Sequence, residues 1–217
     1  MEVLPALLGA LRITVLATVL GMGFALVVGL IWALLRRSPR RWLSAPAGAI
    51  VEFLRSTPLL VQLFFLFYVL PDWGVSLSAL ATGILGLGLH YSAYTAEVYR
   101  AGIEGVPQGQ WDAAAALNFS KARTWRAIIL PQIVAPTLPV LGNRFVAMFK
   151  DSVLLSAITV GEVLQQARLI GSESFRYLEP LTLVGVLFLI VSVAASRGLR
   201  VFELKLNAGR RGRGALS

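Results

Sequence analysis

Apolar positions along this chain gather into runs that alternate with short polar turns and one long polar segment. The first run covers residues 3–35, is interrupted only by Arg12, and is followed by Arg36, Arg37, Arg40 and Arg41. It exceeds the roughly 20 residues that a helix needs to cross a bilayer. The second run, Leu59 to Leu70, has only 12 residues and reaches roughly 18 Å of a ~30 Å hydrocarbon core. Its span is therefore predicted to begin near Ala47 and to cover 47–70. That places Glu52, Arg55, Ser56 and Thr57 at or within one half of the membrane, where ionisable groups face a bundle interior or a wet cavity. Ser56 or Thr57 ahead of Pro58 predicts a cap and a helix restart inside the membrane. Pro71, Asp72 and Gly74 form a turn, and residues 77–100 return as a third span. A fourth span is predicted over 132–160 and a fifth over 178–196, leaving a basic tail at 197–217. Residues 161–179, with Glu162, Arg168, Glu173, Arg176 and Glu179, read as a mixed-charge, partly amphipathic outer segment.

Charge orients these spans. Basic residues collect on the cytoplasmic side, so Arg36 to Arg41 at one end and Arg197, Arg200, Lys205, Arg210, Arg211 and Arg213 at the other predict an N-out, C-in chain. The expected fold class is an all-α integral membrane protein with five transmembrane helices. Composition agrees, because 57% hydrophobic and 14% charged residues leave too little polar surface for a soluble domain. The formal charge of +9 records this topology and predicts no nucleic-acid partner. Glu2 in place of a basic cluster, and the length of the first run, predict a retained span and no cleaved signal peptide. No internal repeat is visible.

Several chemistries are excluded. Without cysteine there are no disulfides or thiolate metal sites, and one histidine makes no paired-histidine metal site. The three lysines follow Ser120, Phe149 and Leu204, so there is no Gly-Lys-Ser/Thr phosphate loop, and no Gly-x-Ser-x-Gly elbow is present. The chain is expected to be neither an ATPase nor another enzyme, and to bind no cofactor itself.

Polar residues inside the spans are the candidates for function. His90, Tyr94 and Glu97 fall at i, i+4 and i+7 on one helix face, and Glu97 can pair with Arg100. Asn143, Arg144, Lys150 and Asp151, six to eight residues apart across the two pairs, are expected on one stripe. A cation at mid-bilayer costs ~2.5–3.5 kcal/mol, so the stripe should face inward. It serves either as an ion-pair network that holds the bundle or as a polar pocket for a zwitterionic solute. Lys150, Asp151 and Ser152 also predict an interruption of the helix, tolerated where backbone lines a cavity.

The long polar segment, 107–131, reads as a docking element. Asp112 is placed near the start of a short Ala-rich helix, where a carboxylate suits the free N–H groups. Asn118 tolerates the left-handed conformation that stops a helix. Ser120 then caps a second short helix through Trp125 and Ile128, and Pro131 predicts a break or a new start. A seven-residue helix of roughly 10 Å does not persist alone, so it needs a partner surface. Trp111 and Trp125 are expected at the membrane surface or in that interface.

Asp112-Ala113-Ala114, then Asn118, then Ile128, Leu130 and Pro131 resemble the EAA motif of ABC importer permease subunits: Glu-Ala-Ala, three residues, Gly, nine residues, Ile-x-Leu-Pro. The spacing matches, with Asp for Glu and Asn for Gly. The stretches Glu52–Gln62 and Leu141–Ser152 resemble the polar amino acid permease subfamily. The resemblance implies a MetI-like, type I ABC importer transmembrane domain in a bacterial-type cytoplasmic membrane. It implies a second permease subunit, two cytoplasmic ATPases that use ATP and Mg2+, and an extracytoplasmic solute-binding protein, all working in membrane lipid. It assigns ATPase coupling to Trp111, Asp112, Ala113, Ala114, Leu117, Asn118, Leu130 and Pro131. The pathway would involve Glu52, Arg55, Thr57, Gln62, His90, Tyr94, Glu97, Asn143, Arg144, Lys150, Asp151 and Ser152. Leu89–Arg100 and Ser172–Glu179 are similar to permeases for ectoine and hydroxyectoine.

Overall fold

The computed structural model describes the backbone of residues 3–214 and the side chains of residues 3–204. The described residues form helices joined by short connections: α1 (Val3–Arg36), α2 (Arg41–Ser56), α3 (Leu59–Trp73), α4 (Ala79–Glu104), α5 (Gln108–Ala116), α6 (Lys121–Ile158), α7 (Val163–Ser174) and α8 (Leu178–Gly214). Three of these, α1, α6 and the Leu178–Leu204 part of α8, are long and apolar enough to cross a membrane, and the bent pair α2 and α3 makes a fourth candidate.

The pair α1 and α4 forms the spine. Gly29 of α1 lets the two backbones close up, since a Cβ there would stand 2.8 Å from the Ser92 carbonyl oxygen. Gly86 on the next face of α4 admits Leu63 of α3, whose Cδ2 lies 2.5 Å from where a Cβ would be. Small residues at helix contacts are how membrane bundles obtain close packing. This enclosure also explains why α4, the expected third span, is less apolar than the other long helices. Its neighbours are protein, and Thr82, His90, Ser92 and Thr95 are all buried.

Around the spine a central core joins Ala17, Met22, Leu63, Leu87, Tyr91, Met148 and Leu155. A second cluster ties Leu7 and Ala10 of α1 to Val163, Ala167 and Ile170 of α7 and Val184 of α8. A third, at the opposite end, joins Ile103, Val106, Ile129 and Ile133, with Trp111 and Trp125 packed against it.

Several local expectations change. The expected 47–70 span is two helices that meet at 106°, and the first begins at Arg41, ahead of Ala47. Pro58 lacks an N–H and crowds the carbonyl four residues back, which ends α2. Neither Ser56 nor Thr57 caps α3; Pro58 holds the cap position with φ −61° and ψ 136°, and Thr57 Oγ1 donates back to the Phe53 carbonyl at 2.8 Å. Pro131 breaks nothing, because a π turn at Trp125–Ile129 widens the helix just ahead of it and makes room for the ring. The residues from Lys121 onward are thus the foot of α6 rather than a separate short helix. At Ser152 the same helix tightens to 3-10 geometry through Ile158 without interruption. The fifth expected span, 178–196, continues helical to Gly214, so the described part of the basic tail is helical too. The outer segment is the compact helix α7.

Candidate functional site

At the break between α2 and α3, one side chain takes over the missing backbone donor. Leu54 is the residue whose carbonyl the Pro58 amide would have served, and Gln62 Nε2 donates to that oxygen at 2.8 Å. The same nitrogen reaches the Thr57 carbonyl at 3.2 Å and Thr57 Oγ1 at 2.6 Å. Gln62 Oε1 lies 3.3 Å from His90 Nδ1, and because the amide oxygen only accepts, the proton in this bond sits on Nδ1. Thr57, Gln62 and His90 thus lock the hinge to α4, and the donors of Gln62 are committed to Leu54 and Thr57.

Beside this lock, α2, α4 and α6 line an open cavity of about 700 Å³ whose walls include Arg55, Tyr94, Glu97, Gln132, Thr137 and Arg144. Tyr94 is its centre. The guanidinium of Arg144 sits 4.9 Å from the ring centroid and that of Arg55 5.6 Å from it, an arrangement in which the ring face attracts each cation. Glu97 gathers cations at one edge: Arg100 at 2.7 Å, Arg55 at 3.6 Å, and Arg36 from the end of α1. Arg100 also holds Glu104 at 2.6 Å. Further along α6, Asp151 accepts a hydrogen bond of 2.7 Å from the Tyr91 hydroxyl. His90, Tyr91 and Tyr94 form an aromatic wall, with centroids 5.3 to 6.2 Å apart.

The expected single stripe on α6 is two stripes. Arg144 and Asp151, seven residues apart, both face α4, Arg144 lining the cavity and Asp151 beyond it at the buried Tyr91 hydroxyl. Asn143 and Lys150, also seven apart, line a separate groove of about 550 Å³ against α8, with Ser192, Ser196 and Arg197. Adjacent residues on a helix differ by about 100° in direction, so each adjacent pair is split between the two faces. Ser152 faces neither, being fully buried with its hydroxyl donated to the Phe149 carbonyl at 2.6 Å. Glu52 lies on the outer side of α2, where its carboxylate is 3.8 Å from Arg55.

The docking segment is built as a rigid foot. Helix α5 starts after Pro107, so Asp112 lies in its middle, where it accepts from Gln108 Nε2 at 3.1 Å. Asn118 does stop the helix, with φ 52°. Its N–H bonds the Ala115 carbonyl at 2.9 Å and that of Phe119 bonds the Ala114 carbonyl at 3.0 Å, the paired closure of a Schellman end. Ser120 Oγ then caps α6 by accepting from the Arg123 N–H at 3.3 Å. Trp111 meets Trp125 edge to face at 5.6 Å, Gln132 donates to Gln110 at 3.2 Å, and Ala114 is buried. Asp112, Ala113, Leu117, Asn118, Leu130 and Pro131 remain exposed.

The roles of two residues escaped the sequence reading. Tyr91, the partner of Asp151, shares a helix with Tyr94 at i, i+3 spacing, and that spacing was its signal. Glu162 is fully buried and caps α7, accepting from the Leu164 and Gln165 N–H groups at 2.9 and 2.8 Å. Burial pushes its carboxyl up to about 7, against the pull of those two bonds. An acid directly before a helical run was the available sign.

Comparison with known proteins now places this arrangement. Residues 25–207 match the family of binding-protein-dependent transport system inner membrane components. A probable amino-acid ABC transporter permease protein of Sinorhizobium fredii, y4tG, is 45% identical over 205 residues, 94% of this chain and 89% of that one. The L-cystine transport system permease protein TcyB of Bacillus subtilis is 36% identical over 170 residues, covering 78% and 73%. The crystal structure of an amino acid ABC transporter with histidines superposes with a TM-score of 0.87 at 34% identity, over 93% of this chain and 94% of that one. The chain therefore belongs to the family of binding-protein-dependent transport system inner membrane components and is a multi-pass inner-membrane permease subunit of an ABC transporter.

Proposed function

We propose that this subunit moves amino acids, or amino-acid-like compatible solutes, into the cell through the cavity around Tyr94. In this reading it has five spans, N-out and C-in, the second running through α3, which meets α2 at 106°, and the third formed by α4. A second permease, two cytoplasmic ATPases and an extracytoplasmic solute-binding protein complete the importer, and ATP and Mg2+ are used by the ATPases alone. The permease catalyses no chemistry.

One observation carries the reading. Helix α6 is continuous from Lys121 to Ile158, so the element that holds the α5 foot also carries Arg144 and Asp151. Closure of the ATPases on Asp112, Ala113 and Leu117 would tilt a single rigid body, and the cavity wall would move with it. The cavity suits a solute that carries a carboxylate. Arg144 is in no ion pair among the described residues, which leaves it to a substrate carboxylate. Ectoine and hydroxyectoine, zwitterionic cyclic amino acid derivatives, are the specific candidates that the resemblance of Leu89–Arg100 supports.

Co-purification tests the docking half of this proposal. Asp112→Lys is expected to release the ATPase while the permease stays inserted in the membrane. Retention of the ATPase with normal transport would overturn it.

A further inference from the structure

Helix α2 has two apolar faces, and only one of them is covered. Ala47 and Val51 are buried, with Val51 and Leu54 packing on Ala33, Ala93 and Ala96 of α1 and α4. The opposite side carries Trp42, Ala45, Pro46, Ala49, Ile50 and Phe53, all exposed and spaced i, i+3, i+4, i+7, i+8 and i+11, a continuous stripe on one helix face. Trp42 is 68% exposed and Phe53 62%. The stripe is flanked on one side by cations. Arg37, Arg40 and Arg41 are exposed, and among the described residues none has a carboxylate within 4.0 Å.

The placement of α2 matches this pattern. It meets α3 at 106°, and α3 runs along α4, with Leu63 against Gly86 and Gln62 at His90. So α2 lies across the bundle rather than along it. Its depth is set by Arg55, which is 3.6 Å from Glu97, at the end where Arg36 and Arg100 also gather. An amphipathic helix lying across a bundle at the level of its basic ends, with tryptophan and phenylalanine outward and arginines at its start, has the form of an interfacial helix. A two-fold copy of the chain is a poor occupant. It would bring the arginines of both copies into one shared patch, with only Glu52, already beside Arg55, to offset them.

We infer that α2 lies in the membrane interface on the basic side of the bundle, with its Trp42–Phe53 stripe among acyl chains and Arg37, Arg40 and Arg41 holding the headgroups of anionic phospholipids. The side of the membrane rests on the N-out, C-in orientation proposed above; the lipid contact itself does not.

Because the chain has no cysteine, single labels report on the stripe directly. Nitroxides at Trp42→Cys, Ala49→Cys and Phe53→Cys, attached before assembly with the ATPase and reconstituted in an equal mixture of phosphatidylcholine and phosphatidylglycerol, should meet dissolved oxygen and be shielded from a water-soluble nickel chelate. Shielding from both, as a covering protein copy would give, or free access of nickel would overturn the inference. A bimane at Trp42→Cys, beside Arg41, should be quenched by brominated phosphatidylglycerol in preference to brominated phosphatidylcholine. Replacing Arg37, Arg40 and Arg41 by Gln, one at a time and then together, should lower that preference about fivefold per arginine. Equal quenching by the two lipids with all three arginines present would refute the headgroup assignment. Loss of ATPase binding in Asp112→Lys leaves these measurements unaffected, so the two proposals fail separately.

Discussion

Replacing Gln62 by Leu isolates the contribution of the lock at the α2–α3 break. The side chain keeps its bulk against α4 and loses its polar atoms. Gln62 Nε2 has three acceptors, at 2.8, 3.2 and 2.6 Å, but two hydrogens, so two full bonds are lost. The Leu54 carbonyl matters most, since Pro58 cannot serve it. Leaving a buried acceptor unmet costs ~1–3 kcal/mol. Side-chain bonds in membrane bundles average only ~0.6 kcal/mol because the unfolded chain finds other partners. Together these give a destabilisation of about 1–3 kcal/mol for Gln62→Leu. Gln62→Met, which keeps the length and removes both donors, should cost a similar amount, while His90→Phe, which keeps a ring against Tyr91 and Tyr94 and gives up a single bond of 3.3 Å, should cost less. Reversible unfolding in mixed micelles reads all three. If Gln62→Leu unfolds within ~0.5 kcal/mol of the parent, the range of an ordinary surface substitution, then the side chain does not replace the proline's missing donor and the reasoning fails.

Other outcomes follow from the same geometry. Trp111→Ala should leave the ATPase bound through Leu117 but lower uptake per ATP hydrolysed, because α5 loses its edge contact with Trp125; an unchanged ratio in coupled assays would count against the rigid foot. Arg144→Met should abolish or strongly depress uptake with the complex still assembled, and loss of assembly on gel filtration would instead make the Arg144–Tyr94 contact structural. Glu162 makes stability depend on pH. Its folded-state value of about 7 lies above the ordinary 4.5, so it carries no cost below that ordinary value, and stability falls as pH rises from there through about 7. The full cost is on the order of 3 kcal/mol. Thermal unfolding followed across that range should show the decline in the parent and a flatter profile in Glu162→Gln, which retains an acceptor for the cap.

How far the fold was legible varied with what each residue faces. The run over 3–35 was plain because much of α1 turns toward lipid, where apolar side chains are obligatory. Asn118 was readable because a left-handed stop is a local property of few residue types. The split of the α6 cations was not, since a spacing of six to eight residues groups Asn143 with Asp151, and only the exact seven-residue registers separate the two faces. The harmlessness of Pro131 depends on a π turn that the packing of Trp125 and Ile129 supports, and no local signal announces it. The start of α2 was hidden because a minimum span length was imposed on a segment that lies across the bundle. For Gln62, the sequence offered a polar residue inside a span, which reads as a pathway residue. Only the geometry shows its bonds going to the Leu54 carbonyl that Pro58 leaves open and to Thr57.

The central claim is that motion received at α5 is carried by α6 to the cavity around Tyr94. Uptake of radiolabelled amino acids and ectoine into proteoliposomes that contain the permease, the ATPase and the solute-binding protein tests it most directly. The account predicts ATP-dependent uptake that stops when the ATPase is omitted and stops equally in Asp112→Lys. Uptake that persists without the ATPase, driven by an ion gradient alone, would contradict it.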